Sequence, residues 1–378
     1  MSLHSLVFCS DEKILRVLRR VLSDLEIHVE HCGDTETSIR KLTRQRFEAV
    51  IVDCAEEQAA GQILRSARSA PGNKRAIAVA IVDGATSLHG AFGLGAHFVL
   101  YKPISTERAK ASFRAARALM KRERRRNTRV SVEIPVMLSV DGAGEQQAMT
   151  TDVSEGGMAL KLAGRPRGAG AIAIDFTLPG TETRVRSKAE IAWQGPARQT
   201  GIRFVDMSPG TRAEFKAWLS QQSSDLEKDD PPVGCKLTDL SLGGCYLEMS
   251  APFPVRTLIV LSMRVGRLHV QAEGVVRVMH PELGMGVEFT QKTIEQREHV
   301  EHFIKALMKS EGLLPDLLVE PEGLEDDSCP ASHSALRADV EDPLVDLFHH
   351  KAALSAEAFR NELRKQRGPA AQPAETAV

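Results

Sequence analysis

The sequence predicts a multidomain chain: an α/β doubly wound unit, then two copies of an all-β unit that each end in a helix. Short apolar runs alternate with amphipathic stretches up to about residue 120, the pattern of a parallel sheet flanked by helices. Beyond residue 130 the apolar period drops to two, which is the period of a half-buried strand. One string, TDVSEGGMAL at 151–160, returns as TDLSLGGCYL at 238–247, and a repeat of this kind defines a module.

The strands of the first unit are read at SLVFC, FEAVIVDC, AIAVAIVDG and HFVLYKP. The helix from Asp11 carries Ile14, Leu18, Val21, Leu22 and Leu25 at three- and four-residue steps. A last helix from Ser105 passes Phe113 and Met120 and runs into KRERRRNTR with no glycine or proline to stop it. Val132, Ile134, Val136, Leu138 and Val140 then alternate with mostly polar neighbours, so 130–140 and 146–153 read as a hairpin about Asp141-Gly142-Ala143-Gly144. KAEIAW (188–193) has a weaker echo in QAEGVV (271–276), and GIRF (201–204) returns as GVEF (286–289). A helix capped at Ser208-Pro209 presents Phe215, Trp218 and Leu219, and the second copy has Val300, Phe303 and Ile304 in the same places.

The polar linker QQSSDLEKDDPP separates the copies. After about residue 312 the chain turns acidic and irregular and reads as a flexible connector. A short helical pair follows, one helix opened by Asp342-Pro343 with Leu344, Leu347 and Phe348, the other capped by Ser355 with Phe359 and Leu363. It is expected to dock a partner or to oligomerise. The expected divisions are therefore 1–120, 121–221, 222–310, 311–340 and 341–368.

The 378 residues are 42% hydrophobic and 26% charged with a formal net charge of -1, which does not describe a bulk polyanion binder. With no run near the roughly 20 apolar residues of a membrane helix and no secretory signal, the chain is expected in the cytoplasm, without membrane insertion. Six cysteines without CxxC spacing read as reduced thiols. No Gly-rich phosphate loop, nucleophile elbow or HExxH is present, so an enzyme is not expected.

Two motifs carry chemistry. Arg125 and Arg129, preceded by Arg124, form RxxxR, and Asp152, Ser154 and Gly157 form DxSxxG. The hairpin brings the start of its first strand beside the end of its second, which places Arg129 near Asp152. An arginine fork can donate to guanine O6 and N7 or grip phosphate oxygens. A carboxylate accepts from guanine N1–H and N2–H₂, a serine hydroxyl adds a polar contact, and glycine permits close approach. Read singly, KRERRRNTR is a solvated helix end and DxSxxG a strand-turn.

In order, RRRNTR, VSVEIPV, TDVSEGGMAL, the strand ending at Trp193 and GIRFVD resemble the PilZ domain family over residues 122–220. The resemblance implies a six-stranded barrel that binds cyclic di-GMP, with Arg125 and Arg129 from an N-terminal loop clamping the ligand against Asp152, Ser154 and Gly157. Residues 233–308 resemble the same family through Asp239, Ser241 and Gly244. Between the end of the first copy's helix and Asp239 the only cations are Lys228 and Lys236, set among Asp225, Glu227, Asp229 and Asp230, so the second copy is expected to bind no cyclic di-GMP and to serve packing, dimerisation or docking.

Residues 1–120 resemble the receiver domain of response regulators. The resemblance makes Asp53 a candidate phosphoacceptor, Lys102-Pro103 the family's terminal pair with a cis bond compatible, and Asp11 one member of the acidic pair that holds magnesium. Ser10 replaces the other member, and Val82-Asp83 stand where a hydroxyl residue is needed, which weakens magnesium binding. The expected whole is a non-enzymatic receptor in which cyclic di-GMP reorients the receiver-like domain against the first barrel. The sequence does not name its effector protein; motility, polysaccharide and developmental machinery are all compatible, as is a homodimer. The alternative is an adaptor acting through protein contacts or through nucleic acid bound at 121–129. Against nucleic acid stand the lack of a recognition helix and an aromatic content of 4%.

Overall fold

A computed structural model describes residues 2–83, 88–140, 144–162, 172–195, 199–222, 229–291, 293–309, 314–325, 342–350 and 355–367. The expected turn residues Asp141 to Ala143, part of the linker between the copies and most of the 311–340 segment with Cys329 lie outside them. The chain forms two compact units: Glu123–Lys228, and Ser2–Arg122 together with Asp229–Val378. The N-terminal domain and the second barrel thus belong to one unit, where the sequence suggested successive separate domains.

Strands β1 (Leu3–Phe8), β2 (Ile27–Cys32), β3 (Ala49–Asp53), β4 (Ile77–Val82) and β5 (Phe98–Tyr101) alternate with helices α1 (Glu12–Asp24), α2 (Thr35–Arg44), α3 (Glu57–Ser69), α4 (Leu88–Gly93) and α5 (Thr106–Asn127). The sheet is parallel, in the order β2-β1-β3-β4-β5. β3 and β4 are buried along their whole length, which is why both read as unbroken apolar runs. Ile14, Leu15, Leu18, Val21 and Leu22 form the buried stripe of α1, and the Lys102–Pro103 peptide is cis. His97 accepts a hydrogen bond at Nδ1 from the Ala78 N–H at 2.9 Å; burial, with Arg68 and Arg256 nearby, lowers its pKa to about 3 and keeps the ring neutral.

In the first repeat, β6 (Pro135–Val140), β7 (Gly144–Ser154), β8 (Gly157–Leu162), β9 (Ile172–Thr177), β10 (Arg184–Gln194) and β11 (Gln199–Asp206) close a barrel in the ring order β10-β11-β8-β7-β6-β9. Its interior holds Ile134, Val136, Leu138, Met158, Leu160 and Ile174, each contributing about 1.5–3 kcal/mol on burial. Helix α6 (Pro209–Gln222) covers one end with Phe215, Trp218 and Leu219. The strand expected from residue 130 is interrupted: Val130 makes a single bridge to Val153, and regular pairing resumes at Pro135. Between them the Thr150 hydroxyl accepts from the Ile134 N–H and donates to the Val132 carbonyl, so a side chain replaces part of the ladder.

The second repeat contains β12 (Val233–Leu240), β13 (Gly244–Glu248), β14 (Thr257–Val265), β15 (Leu268–His280), β16 (Gly284–Phe289) and α7 (Ile294–Lys309). Among the described residues it has no N-terminal counterpart of β6. That place is taken by β17 (Asp316–Leu324), which pairs antiparallel with both β12 and β14 and closes the ring β12-β13-β16-β15-β14-β17. The two rings correspond in strand order, with the first strand of one barrel supplied as the last strand of the other. The expected flexible connector is therefore corrected over residues 316–324: Leu317, Val319, Pro321 and Gly323 point inward in alternation.

Helix α5 is anchored to this region of the same unit. Lys121 and Arg117 both reach Asp230, at 2.9 and 2.7 Å, and Arg122 reaches Asp229 and Glu322 at 3.2 and 3.0 Å. Lys121 and Arg122 are buried, so the first part of the basic run is structural. The expected tail helices are α8 (Pro343–His350) and α9 (Ala356–Arg367), and they lie against the second barrel. Leu344, Leu347, Phe348, Phe359 and Leu363 form a buried cluster there with Tyr246 and Val278. Among the described residues, no helix is long and apolar enough to cross a membrane.

Candidate functional site

Arg124 and Arg125 lie in the last turn of α5, where cations complement the negative end of the helix dipole. Arg125 was expected on a loop; the absence of a breaker lets the helix continue until Thr128, whose N–H donates to the Arg125 carbonyl and whose hydroxyl donates to that of Arg124. Arg126 turns back to Glu123 at 3.4 Å. Arg129 follows in extended backbone, and the Val130–Val153 bridge sets it beside Asp152, with Nη1 2.6 Å from Oδ1. The Arg129 side chain is 49% exposed, so the ion pair sits at a surface that a ligand can reach.

Ser154 and Gly157 do different work. The Ser154 hydroxyl is buried and donates to the Gly157 carbonyl at 3.0 Å, closing the turn between β7 and β8. A Cβ on Gly157 would stand 2.1 Å from the Ile202 carbonyl oxygen, so glycine is required there by the neighbouring strand. Ser241 and Gly244 repeat both features, with a hydroxyl-to-carbonyl distance of 3.2 Å and a Cβ position 2.4 Å from the Val287 carbonyl oxygen. This half of DxSxxG is a turn in both barrels.

Asp152 begins a row of laterally paired residues, Asp152–Ala159–Gly201–Trp193, across β7, β8, β11 and β10. Paired residues share a face of the sheet. The Trp193 indole lies on Gly201, where a Cβ would meet Nε1 at 2.1 Å, and the ring is 39% exposed. A carboxylate with its arginine thus stands at one end of the row and an aromatic face at the other, with small residues between. Sequence reasoning placed Trp193 on a strand but gave it no role; its pairing with a glycine was the missed signal.

In the second barrel the matching row is Asp239–Tyr246–Gly286–Val278. Trp193 therefore corresponds to Val278, two residues beyond the Val276 suggested by the KAEIAW/QAEGVV echo. Tyr246 replaces the small Ala159. Cations do approach this barrel, from the C-terminal side: Arg360 and Arg364, one turn apart on α9, line a cavity of about 280 Å³ with Leu363, Thr238, Tyr246 and Glu248.

Around Asp53, Lys102 Nζ lies 2.6 Å from Oδ1, and the Ala55 N–H donates to the same oxygen at 3.1 Å. Burial alone would depress the Lys102 pKa, but the hydrogen bond and charge of Asp53 outweigh it and raise the value. Asp11, expected beside Asp53, instead caps α1, accepting from the Lys13 and Ile14 N–H groups. The residue at the carboxylate is Cys9, with Sγ 3.5 Å from Oδ2. Burial, offset in part by the Asp11 carbonyl and reinforced by Asp53, pushes its thiol up to about 11, so it stays protonated. Magnesium requires several oxygen ligands, and a thiol with an ammonium does not supply them. Among the described residues, no group of three His, Cys, Asp or Glu side chains could hold a metal ion.

Two closed barrels of one ring order behind a parallel α/β domain define a duplicated β-barrel protein with a receiver-like N-terminus. Residues 123–221 and 220–306 each match the PilZ domain family, so the two barrels are PilZ domains in tandem. No curated protein matches it. Among solved structures it is similar to the PilZ domain of CeSA from a cellulose-synthesizing bacterium, at 20% identity over 25% of this chain and 94% of that chain, TM-score 0.20. It is also similar to the receiver domain of a sensor histidine kinase from Pseudomonas aeruginosa, which has magnesium coordinated in its active-site cleft, at 19% identity over 29% and 93%, TM-score 0.27. A chemotaxis response regulator of Vibrio cholerae is similar at 20% identity over 28% and 92%, TM-score 0.26.

Proposed function

We propose that the first barrel binds cyclic di-GMP and that the chain is a non-enzymatic receptor for it. The family matched by both barrels is a cyclic di-GMP-binding one. The observation that carries the reading for this chain is the Arg129–Asp152 pair at 2.6 Å, set at the head of a row that ends on the exposed Trp193 ring. Arg129, with Arg124 and Arg125 from the end of α5, supplies guanidinium forks for phosphate oxygens and guanine O6/N7. Asp152 accepts from the guanine N1–H and N2–H₂, which adenine does not present in that form, and Trp193 offers a face for base stacking. Ser154 and Gly157 act on the ligand indirectly, by fixing the turn that holds Asp152.

The chain passes between its two compact units at Arg122/Glu123 and Lys228/Asp229. Arg124 and Arg125 follow the first crossing directly, so ligand that engages them is transmitted as a reorientation of Glu123–Lys228 against the other unit and read by an effector protein. The receiver-like domain serves as a docking element, since Asp53 is held by Lys102 and Cys9 in a set that does not suit magnesium.

Titration calorimetry of the full chain with cyclic di-GMP tests the reading. Micromolar or tighter binding is expected, weakened roughly 100-fold or more by Arg125→Ala/Arg129→Ala, as loss of charge-assisted bonds from two guanidinium groups implies. A double variant that binds as well as the unaltered chain overturns it.

A further inference from the structure

The outer row of the second barrel is covered. Asp342 accepts at Oδ1 from the Leu344 and Val345 N–H groups, at 3.1 and 3.3 Å, capping α8, and at Oδ2 from the Gly243 N–H of the barrel at 2.9 Å. The Phe348 ring stands over Gly286, where a Cβ would lie 2.5 Å from it, as Trp193 stands over Gly201 in the first barrel. Phe359 packs on Tyr246 and His280 with ring centroids 5.4 and 4.9 Å away, and the Tyr246 hydroxyl is 3.0 Å from His280 Nδ1. His349 Nε2 lies 3.1 Å from Glu288 Oε2.

We propose that the second barrel is a helix-binding module, that helices α8 and α9 are its ligand, and that the attachment is a reversible binding equilibrium within one chain. Three observations carry this. The barrel closes without the tail, because β17 completes its ring, and the cluster made by the tail is separate from the barrel's own core. The face is shaped to this occupant: a Cβ on Gly243 would meet Val345 Cγ2 at 2.7 Å, and one on Gly286 would enter the Phe348 ring. The contacts also combine the two parts of peptide recognition, apolar anchors on one helical face at Leu344, Leu347 and Phe348 and a polar anchor at Asp342 that fixes register. Joining a module and its ligand in one chain supplies an effective concentration of roughly millimolar order, so a weak intrinsic affinity suffices for full occupancy. A competitor needs the same chemistry: a helix opened by an aspartate cap with apolar residues at the second, fifth and sixth positions after it.

The test uses the full chain with a protease site placed within residues 331–336 and a fluorophore at its C-terminus. After cleavage the fragments are expected to co-elute at tens of micromolar and to separate on dilution, while the larger fragment keeps its thermal transition. A synthetic peptide of residues 340–368 should compete. Asp342→Ala and Phe348→Ala in that peptide should each weaken competition by roughly tenfold or more, as for central anchors elsewhere. Because the substitutions are made in the peptide, the barrel is unaltered in every arm. The proposal is overturned if the cleaved tail stays bound at all dilutions until the barrel unfolds, or if it is already dissociated at the highest concentration. Cyclic di-GMP affinity is measured on the same sample and is expected to be unchanged by cleavage, so this inference and the ligand assignment to the first barrel stand or fall separately.

Discussion

The two barrels share a ring order, a Ser-to-Gly turn and a row of four paired residues, and they differ in what the chain lays on that row. On the first, the N-terminal flank brings Arg129 to Asp152 and leaves Trp193 exposed. On the second, the C-terminal flank brings Asp342 to Gly243 and buries Tyr246 under Phe359. The difference teaches that DxSxxG is not a ligand signature by itself. Its serine and glycine close the same turn in both barrels, and what differs is the segment that flanks each one.

The largest effect that tests this comparison is at the turn. Gly157→Ala and Gly244→Ala each force a Cβ into a backbone carbonyl, at 2.1 and 2.4 Å, which no side-chain rotation relieves. Each should cost its own barrel about 3 kcal/mol or more, the range of severe overpacking. Thermal melts would show it, and a variant of either glycine that melts normally would break the shared-turn reading. A smaller and asymmetric effect is expected one strand away. At Gly286 the added methyl meets the buried Phe348 ring at 2.5 Å, so Gly286→Ala should cost about 1–3 kcal/mol and expose the tail to limited proteolysis. At Gly201 it meets the Trp193 indole, which is partly exposed and can swing aside, so Gly201→Ala should cost less than about 1 kcal/mol. Equal costs would show that Phe348 is no more confined than Trp193. The smallest effect concerns Arg129. Its pair with Asp152 is exposed, so Arg129→Ala should change the ligand-free melting free energy by less than about 1 kcal/mol while lowering cyclic di-GMP affinity by calorimetry. A large loss of ligand-free stability would reassign the pair to the fold.

Much of this was legible in the sequence because the relevant signals are local. The unbroken apolar runs of β3 and β4 announce a central parallel sheet, and the hairpin that places Arg129 beside Asp152 follows from strand alternation and turn position. What escaped was non-local or compositionally disguised. β17 alternates correctly at Leu317 and Val319, but Pro321, Gly323 and the acidic residues Asp316, Glu320 and Glu322 make the stretch resemble a linker, and its need for two partners far apart in sequence cannot be seen in a window. Asp11 was matched to a metal-binding role by position, while its place just before a helix marked it equally well as a cap. Cys9 gave no signal because a lone thiol reads as core. The tail was read as a free docking helix pair, since nothing in its own residues reveals that Gly243 and Gly286 leave room for Val345 and Phe348.

The displaced closing strand also bears on how the protein is made. The first barrel holds all its strands by residue 206, so it can close while the rest of the chain is still being synthesised. The second must wait for residues 316–324, and until they emerge β12 presents an unpaired edge at Val233, Gly234 and Cys235 and β14 one from Thr257 to Arg264. Open edges of that length are templates for pairing with other chains. A nascent or truncated chain that stops at Lys309, just past the family match at residue 306, would contain both recognisable repeats and still lack the strand that seals the second. Its hazard would be aggregation, and the last strand, silent in the family comparison, is what removes it.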